Sequence, residues 1–138
     1  MPVSQRVRLE WTGERLAFSG QGVDPPSPAV AVDGDRESGP SPMQTLLLAV
    51  AGCSSADVVV ILKKMRVRLE TLAVEVDGVR RDEEPRRYVA MTLRFRMRGQ
   101  GLDAAKAERA VGLSLEKYCS VIHSLAPDTE VRHEIVLE

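Results

Sequence analysis

A long apolar segment near the middle of this chain constrains its fold more than any other feature. Leu46–Leu62 contains no lysine or arginine, and a pair of lysines follows it directly. Upstream, Ser41-Pro42 supplies an N-cap hydroxyl and a proline suited to the first helical position, so the pattern predicts a helix from that proline to about Met65. The segment is apolar around nearly its whole circumference, and we therefore expect burial on all sides.

The same segment contains Asp57 and is shorter than the ~20 residues of a membrane span, which favours a buried helix over a membrane helix. The N-terminal residues lack the apolar stretch of a secretory signal. The 19 basic and 20 acidic side chains nearly balance, so no net electrostatic field attracts the protein to nucleic acid or to an anionic membrane. We expect a cytoplasmic protein with neither nucleic acid nor membrane as a partner and with reduced thiols.

Alternation of apolar and polar residues with period two marks several strands. The clearest runs from Val89 to Arg98, and a strand around Thr71–Val79 is expected to pair with it in antiparallel direction, with acidic and arginine side chains facing water. Shorter alternations predict strands near both chain ends. The apolar residues Ala29–Val32 interrupt a loop rich in glycine, proline, serine and aspartate, and predict a short strand there. A second, amphipathic helix begins with Asp103 as its N-cap and carries Cys119 on its apolar stripe.

The clustering of strands and helices predicts an α+β fold with a mostly antiparallel sheet, formed by one domain over residues 1–138. A subunit of this size, with one sheet and one covering helix, cannot enclose a fully apolar helix. A homodimer in which the two central helices and sheets bury one another resolves this difficulty.

The two cysteines have two interpretations. In the first, Cys53 and Cys119 are simply small buried side chains. Asp57 favours the second, because it lies one turn after Cys53 on the same helical face, where a carboxylate is costly unless a cation or several donors meet it. An arginine from elsewhere would satisfy Asp57 and stabilise a thiolate at Cys53. The helix dipole cannot do so, because Cys53 is about three turns from the N-terminus of the helix.

His123 follows Cys119 by one helical turn. This spacing suits two metal ligands or an imidazole that assists a thiolate. Two ligands do not make a zinc site, and we therefore expect no metal. The sequence has no glycine-rich phosphate loop and no nucleotide fingerprint, and we expect no cofactor apart from an external thiol or dithiol reductant. An ordinary histidine at an interface is the remaining interpretation.

Two blocks of the sequence resemble the OsmC/Ohr superfamily of osmotically inducible and organic-hydroperoxide-resistance proteins. The first block joins Gly39–Pro42 to Leu46–Lys64, and the second is Ser114–Val121, before a final strand. The order of elements also agrees, so the resemblance covers essentially the whole chain. It implies an OsmC-like fold, in which an intertwined homodimer of α+β subunits places its sites at the subunit interface.

The resemblance also implies thiol peroxidase activity on organic hydroperoxides in stress defence. Carried over by position, Cys53 is the peroxidatic thiol, which attacks the distal peroxide oxygen and becomes a sulfenic acid. Condensation with the resolving Cys119 gives a disulfide, which an external dithiol reduces. The Cα atoms of the two residues must then approach within about 7 Å.

The family's activating arginine comes from the first hairpin, where Arg15 is the best positional match. In the hydroperoxide-resistance branch a glutamate ten residues before the first cysteine bridges to this arginine, but here that position is Met43. Glu37 or Asp57 would have to replace it. The candidates to support the thiols are Arg36, Asp57, Gln44 and His123.

Met43 in the place of that glutamate supports an alternative from a different functional class. A non-catalytic OsmC-like dimer would keep the fold and bind a small hydrophobic ligand in the cleft around Cys53. The two hypotheses differ in whether the protein turns over peroxide.

Overall fold

The structure, a computed structural model, describes residues 2–138. The chain divides into two compact units, one ending at Leu46 and the other spanning Leu47–Glu138, and each is described by itself. The single domain expected over residues 1–138 stays a prediction.

The first unit contains a three-stranded antiparallel sheet in the order β1-β2-β3. Its strands are β1 (Arg6–Trp11), β2 (Ala17–Asp24) and β3 (Val30–Asp33). The short strand expected at Ala29–Val32 is thus confirmed with a shift of one residue. Every residue of β1 is exposed, and its apolar side chains remain uncovered in the single chain.

Helix α1 (Pro42–Lys64) begins at the predicted proline. Ser41 and Gln44 form a reciprocal capping box. The Gln44 backbone amide donates to Ser41 Oγ at 3.1 Å, and the Ser41 backbone amide donates to Gln44 Oε1 at 3.0 Å. Four residues spaced four apart form the buried ridge of the helix, because such positions share one helical face. These are Val50, Ser54, Val58 and Leu62.

The single chain leaves part of α1 exposed, as expected for a helix that one subunit cannot enclose. Leu48, Val59 and Val60 are 60%, 46% and 52% exposed. Among the described residues, α1 is also the one helix long and apolar enough to cross a bilayer, a property that core helices of soluble proteins share. Its predicted burial inside a protein core, rather than in a membrane, stays a prediction.

The second unit contains a mixed sheet in the order β4-β5-β6. Strand β4 (Arg68–Arg80) pairs antiparallel with β5 (Tyr88–Gln100), as predicted, and places Glu75 opposite Arg94. Strand β6 (Glu130–Leu137) joins β5 in parallel. The inner face of β5 forms the core with fully buried Met91, Leu93, Phe95 and Met97.

Helix α2 is shorter than predicted. It spans Ala104–Leu113, and the expected N-cap is confirmed because the Asp103 carboxylate accepts from the Lys106 amide at 2.8 Å. A π-helical turn over Ser114–Tyr118 follows, closed by the Cys119 amide donating to the Ser114 carbonyl at 2.7 Å. Cys119 has an extended backbone. Its predicted place on the apolar stripe of a helix is therefore wrong, since the wide turn ends the helical path first.

Candidate active site at two thiols

Two thiols and one carboxylate meet in the second unit. The Sγ atoms of Cys53 and Cys119 and a carboxylate oxygen of Asp57 all lie within 4.8 Å of one another. Successive turns of α1 supply Cys53 and Asp57, and the chain that leaves the π-helical turn supplies Cys119. Both cysteines are free thiols. A disulfide needs the sulfurs at about 2.05 Å, so the two side chains must still approach each other for a bond to form.

The two thiols differ in environment. Cys53 is half-buried, whereas Cys119 is fully buried. The pKa of the Cys119 thiol is raised to about 11, first by burial and also by the neighbouring Cys53, while hydrogen bonds from the Ile122 and Val121 backbone oppose the increase. Cys119 is therefore a protonated thiol at neutral pH, and these backbone donors are in place to stabilise its anion once it forms.

A buried hydroxyl group meets the carboxylate of Asp57. The Ser114 hydroxyl donates to Asp57 Oδ2 at 2.8 Å, and Ser54 Oγ lies 3.1 Å from the same Ser114 oxygen. Ser54 and Ser114 are both fully buried. The sequence analysis predicted that donors or a cation would meet Asp57 but did not single out Ser114. The sequence signal that could have indicated Ser114 is its position at the start of the second block, which resembles the OsmC/Ohr superfamily.

A cavity of about 430 Å³ reaches Asp57 from the surface of the second unit. This volume lies within the range of small-molecule sites. Apolar groups form most of its exposed lining, and two cationic side chains also contribute. Besides Asp57, the wall consists of Val60, Ile61, Lys64, Met65, Arg109, Leu113 and Tyr118. Asp57 is therefore shared between the cavity and the pair of sulfurs.

In the first unit, Arg15 is held by two carboxylates. Its Nε donates to Glu37 Oε2 at 3.1 Å and its Nη2 donates to Asp33 Oδ2 at 3.2 Å. The Ser38 backbone amide, followed by other donors and the charge of Arg15, lowers the pKa of buried Asp33 to about 2 despite its desolvation. Glu37 was a predicted substitute for the missing glutamate, and it does pair with Arg15. Asp33 was missed. The action of Arg15 on Cys53 stays a prediction.

The other supporting candidates occupy distinct places. Arg36 is exposed in the loop after β3 with a left-handed backbone, and the Gln44 side chain caps α1. The ring nitrogens of His123 lie 2.8 Å from the Cys119 carbonyl oxygen and 3.1 Å from that of Glu116. His123 therefore stabilises the turn that carries Cys119.

The family model described as OsmC-like protein matches residues 33–134. The chain belongs to this family. Protein YhfA of Escherichia coli K12 is 37% identical to this OsmC-like chain over 129 residues, which cover 93% of the chain and 94% of YhfA.

Solved structures confirm the predicted OsmC-like α+β fold. A hypothetical protein from Aquifex aeolicus VF5 has a TM-score of 0.83 and 31% identity, covering 100% of this chain and 99% of the other. The organic hydroperoxide resistance protein OhrB of Bacillus subtilis has a TM-score of 0.60 and 15% identity, covering 99% and 98%. This second likeness bears on the fold alone.

Proposed function

We propose that this OsmC-like chain is a thiol-dependent peroxidase that reduces organic hydroperoxides. The observation that carries the proposal is the pair of free sulfurs within 4.8 Å of each other, next to a largely apolar cavity. Two neighbouring thiols supply the two electrons that the O–O bond needs. Membership of a fold family that includes organic hydroperoxide resistance proteins supports the same reaction class.

The accessibility of the two cysteines supports their proposed roles. Cys53 is half-buried and can meet a substrate, so its thiolate attacks the distal oxygen of ROOH and the alcohol ROH leaves. The buried Cys119 then attacks the resulting Cys53 sulfenic acid, water leaves, and a disulfide forms. In total, two thiols and ROOH give a disulfide, ROH and water. An external dithiol restores the thiols by exchange, and no further cofactor takes part in the reaction.

The cavity favours an organic substrate over hydrogen peroxide. Its wall is mostly apolar and includes Val60, Ile61 and Leu113, so an alkyl or aryl group would gain free energy by leaving water there. Hydrogen peroxide has no such group. The cavity reaches Asp57, which lies within 4.8 Å of both sulfurs, so a peroxide group can be presented to them.

The working form is proposed to be a homodimer, with Arg15 as the cation that activates Cys53. Exposed apolar side chains on α1, such as Leu48 and Val59, require a cover that the single chain does not provide. Arg15 is fixed in position by Asp33 and Glu37, as a guanidinium with a positioning role requires. Arg36 remains the second candidate.

The test is the consumption of cumene hydroperoxide with dithiothreitol as the reductant. We expect Cys53→Ser to lose more than 100-fold in rate. Cys119→Ser should still form the sulfenic acid, which a dimedone adduct detected by mass spectrometry reports. Equal rates for the wild type and Cys53→Ser would overturn the proposal.

A second candidate function is non-catalytic binding of a small hydrophobic ligand. The cavity volume of about 430 Å³ and its apolar wall favour this reading independently of the thiols. Native mass spectrometry separates the two proposals. A ligand that co-purifies with a chain unable to turn over peroxide supports binding alone, and a ligand-free, active protein supports the peroxidase.

A further inference from the structure

We propose that the reduced protein binds one Zn²⁺-like divalent ion through Cys53, Asp57 and Cys119. The site overlaps the proposed peroxidase centre, but the inference requires only that both thiols are reduced. It does not depend on peroxide turnover. The sequence pointed away from a metal because it offered only Cys119 and His123, whereas the structure brings together a different set of three donors.

The three donor atoms are close to the spacing of a tetrahedral zinc site. Zinc lies about 2.3 Å from thiolate sulfur and about 2.0–2.2 Å from carboxylate oxygen, which places its ligand atoms roughly 3.3–3.8 Å apart. The donors of Cys53, Asp57 and Cys119 already lie within 4.8 Å of one another. Cys53 and Asp57 are four residues apart on α1, so both project from one helical face. Metal binding requires side-chain rotations that bring all three donors to this spacing.

The chemistry of the donor set selects the kind of ion. Two thiolates favour soft or borderline metals, while magnesium and calcium prefer oxygen ligands alone. A divalent ion would also offset two of the three negative charges that two thiolates and a carboxylate carry in this partly buried site. Three protein ligands leave a fourth position for water, and the cavity that reaches Asp57 provides room for it.

Two of the proposed ligands already have contacts with residues outside the site: Asp57 with Ser114, and the backbone of Cys119 with His123. The Ser114 hydroxyl binds Asp57 Oδ2 at 2.8 Å and leaves the other carboxylate oxygen for an ion. Such hydrogen bonds orient metal ligands and tune affinity in known sites. The ring nitrogens of His123 lie near the carbonyl oxygens of Cys119 and Glu116, so this side chain supports the turn and is not a ligand in the proposal.

Metal binding and disulfide formation exclude each other. When an organic hydroperoxide oxidises the loaded site, the two thiolates lose two electrons and form the S–S bond. The peroxide takes up these electrons and two protons to give ROH and water, and the ion is released. Bound metal is therefore expected to slow the oxidation of the pair, and oxidation is expected to expel the ion.

The experiment titrates the full-length reduced protein with Cd²⁺ in the absence of oxygen and peroxide. A phosphine reductant replaces dithiothreitol, which would itself bind the ion. We expect the thiolate-to-cadmium charge-transfer absorption to saturate at one ion per chain. Protein first oxidised to the disulfide should give no absorption.

Variants assign the ligands. Cys53→Ser and Cys119→Ser should each remove about half of the absorption, and Asp57→Asn should keep the absorption but weaken affinity about 10–100-fold. Ser114→Ala should weaken affinity in the same direction, and circular dichroism checks that each variant folds. Glu116→Gln is the matched control, because it removes an exposed carboxylate near Cys119 and should leave affinity unchanged.

Two results would overturn the inference. One is the absence of saturable thiolate absorption in the folded wild type. The other is an affinity that stays unchanged in folded Asp57→Asn and Ser114→Ala, because this would leave the carboxylate outside the site. Saturable binding by a protein without peroxidase activity would support the metal site and refute only the proposed function. Peroxidase activity without saturable metal binding would support the proposed function and refute the metal site.

Discussion

Ser114 donates a hydrogen bond of 2.8 Å to Asp57, although the two residues are 57 positions apart in the sequence. The contact joins the middle of α1 to the π-helical turn that delivers Cys119. Because α1 also carries Cys53, this bond helps to fix the position of one sulfur relative to the other. Ser114 and Ser54, whose hydroxyl oxygens lie 3.1 Å apart, are both fully buried.

Replacement of Ser114 by alanine is expected to destabilise the protein. A hydrogen bond to a charged group contributes about 1.5–3 kcal/mol, so Ser114→Ala should lower the free energy of unfolding by about 2 kcal/mol in urea denaturation. Ser120→Ala, at an exposed position, is the control and should change this free energy by less than about 0.5 kcal/mol.

A double-mutant cycle with Asp57→Asn isolates the contact itself. We expect a coupling of about 1 kcal/mol or more between Ser114→Ala and Asp57→Asn. If the two effects simply add, the hydrogen bond does not contribute to stability, and the link between the helix and the turn has another origin.

The raised pKa of Cys119 predicts how its thiol reacts and how stability depends on pH. In Cys53→Ser, alkylation of Cys119 should have a midpoint above the ordinary value of 9.0, since burial, the largest cause, remains. In the wild type, the folded state holds this proton more tightly than the unfolded state. The resulting stabilisation is complete below about pH 9 and is lost as pH rises toward 11.

Cys119→Ala tests the predicted dependence of stability on pH. Because lysine and tyrosine also titrate at alkaline pH, the quantity to compare is the decrease in unfolding free energy between pH 9 and 11 in the two proteins. The decrease should be smaller in Cys119→Ala. A Cys119 alkylation midpoint at or below 9 in Cys53→Ser would contradict the role of burial.

Arg15 and Arg36 can be distinguished as the activating cation. If Arg15 stabilises the Cys53 thiolate, Arg15→Ala should lower the rate of peroxide reduction and the rate of Cys53 alkylation at pH 7 by about 10–100-fold, or about 1.4–2.7 kcal/mol. Arg15→Lys should recover part of both rates because it restores the charge. Arg36→Ala serves as the control and should react as the wild type does. Wild-type rates in Arg15→Ala would remove Arg15 from the mechanism.

The cavity predicts selectivity between peroxides. Val60→Trp places a large ring at an exposed position of the cavity wall, and we expect kcat/KM for cumene hydroperoxide to fall about tenfold. Reaction with hydrogen peroxide should change little, because this small substrate needs no apolar wall. Val79→Trp makes the same change at an exposed position of β4 and is the matched control. Equal losses of kcat/KM for both peroxides would show that the cavity does not bind the organic group of the substrate.

Features that depend on local sequence could be predicted. The start of α1 follows from the cap formed by Ser41 with proline after it. The pairing of β4 with β5 follows from period-two alternation in both segments, whereas the register that places Glu75 opposite Arg94 comes from the structure. Cys53 and Asp57 share a helical face because they are one turn apart. These features need only the geometry of one element or of two neighbouring strands.

Features that depend on distant contacts could not be predicted in the same way. The π-helical turn that ends in Cys119 depends on a hydrogen bond between residues five apart, and no residue type requires that spacing. The contact between Ser114 and Asp57 exists only after the second unit folds. Period two also leaves strand direction open, which is why the parallel pairing of β6 was not foreseen.

The exposed apolar surface of α1 predicts a homodimer that a single charge would weaken. Leu48 is 60% exposed on a helix whose opposite ridge, from Val50 to Leu62, is buried. In a dimer that covers this surface, Leu48→Lys would bury an unpaired ammonium at high cost, so light scattering should shift from about twice the chain mass of 15.2 kDa toward a single chain. Val79→Lys, at a similarly exposed position on β4, is the control for the added charge. A wild-type protein that is monomeric at micromolar concentration would contradict the dimer and would leave the apolar face of α1 in water.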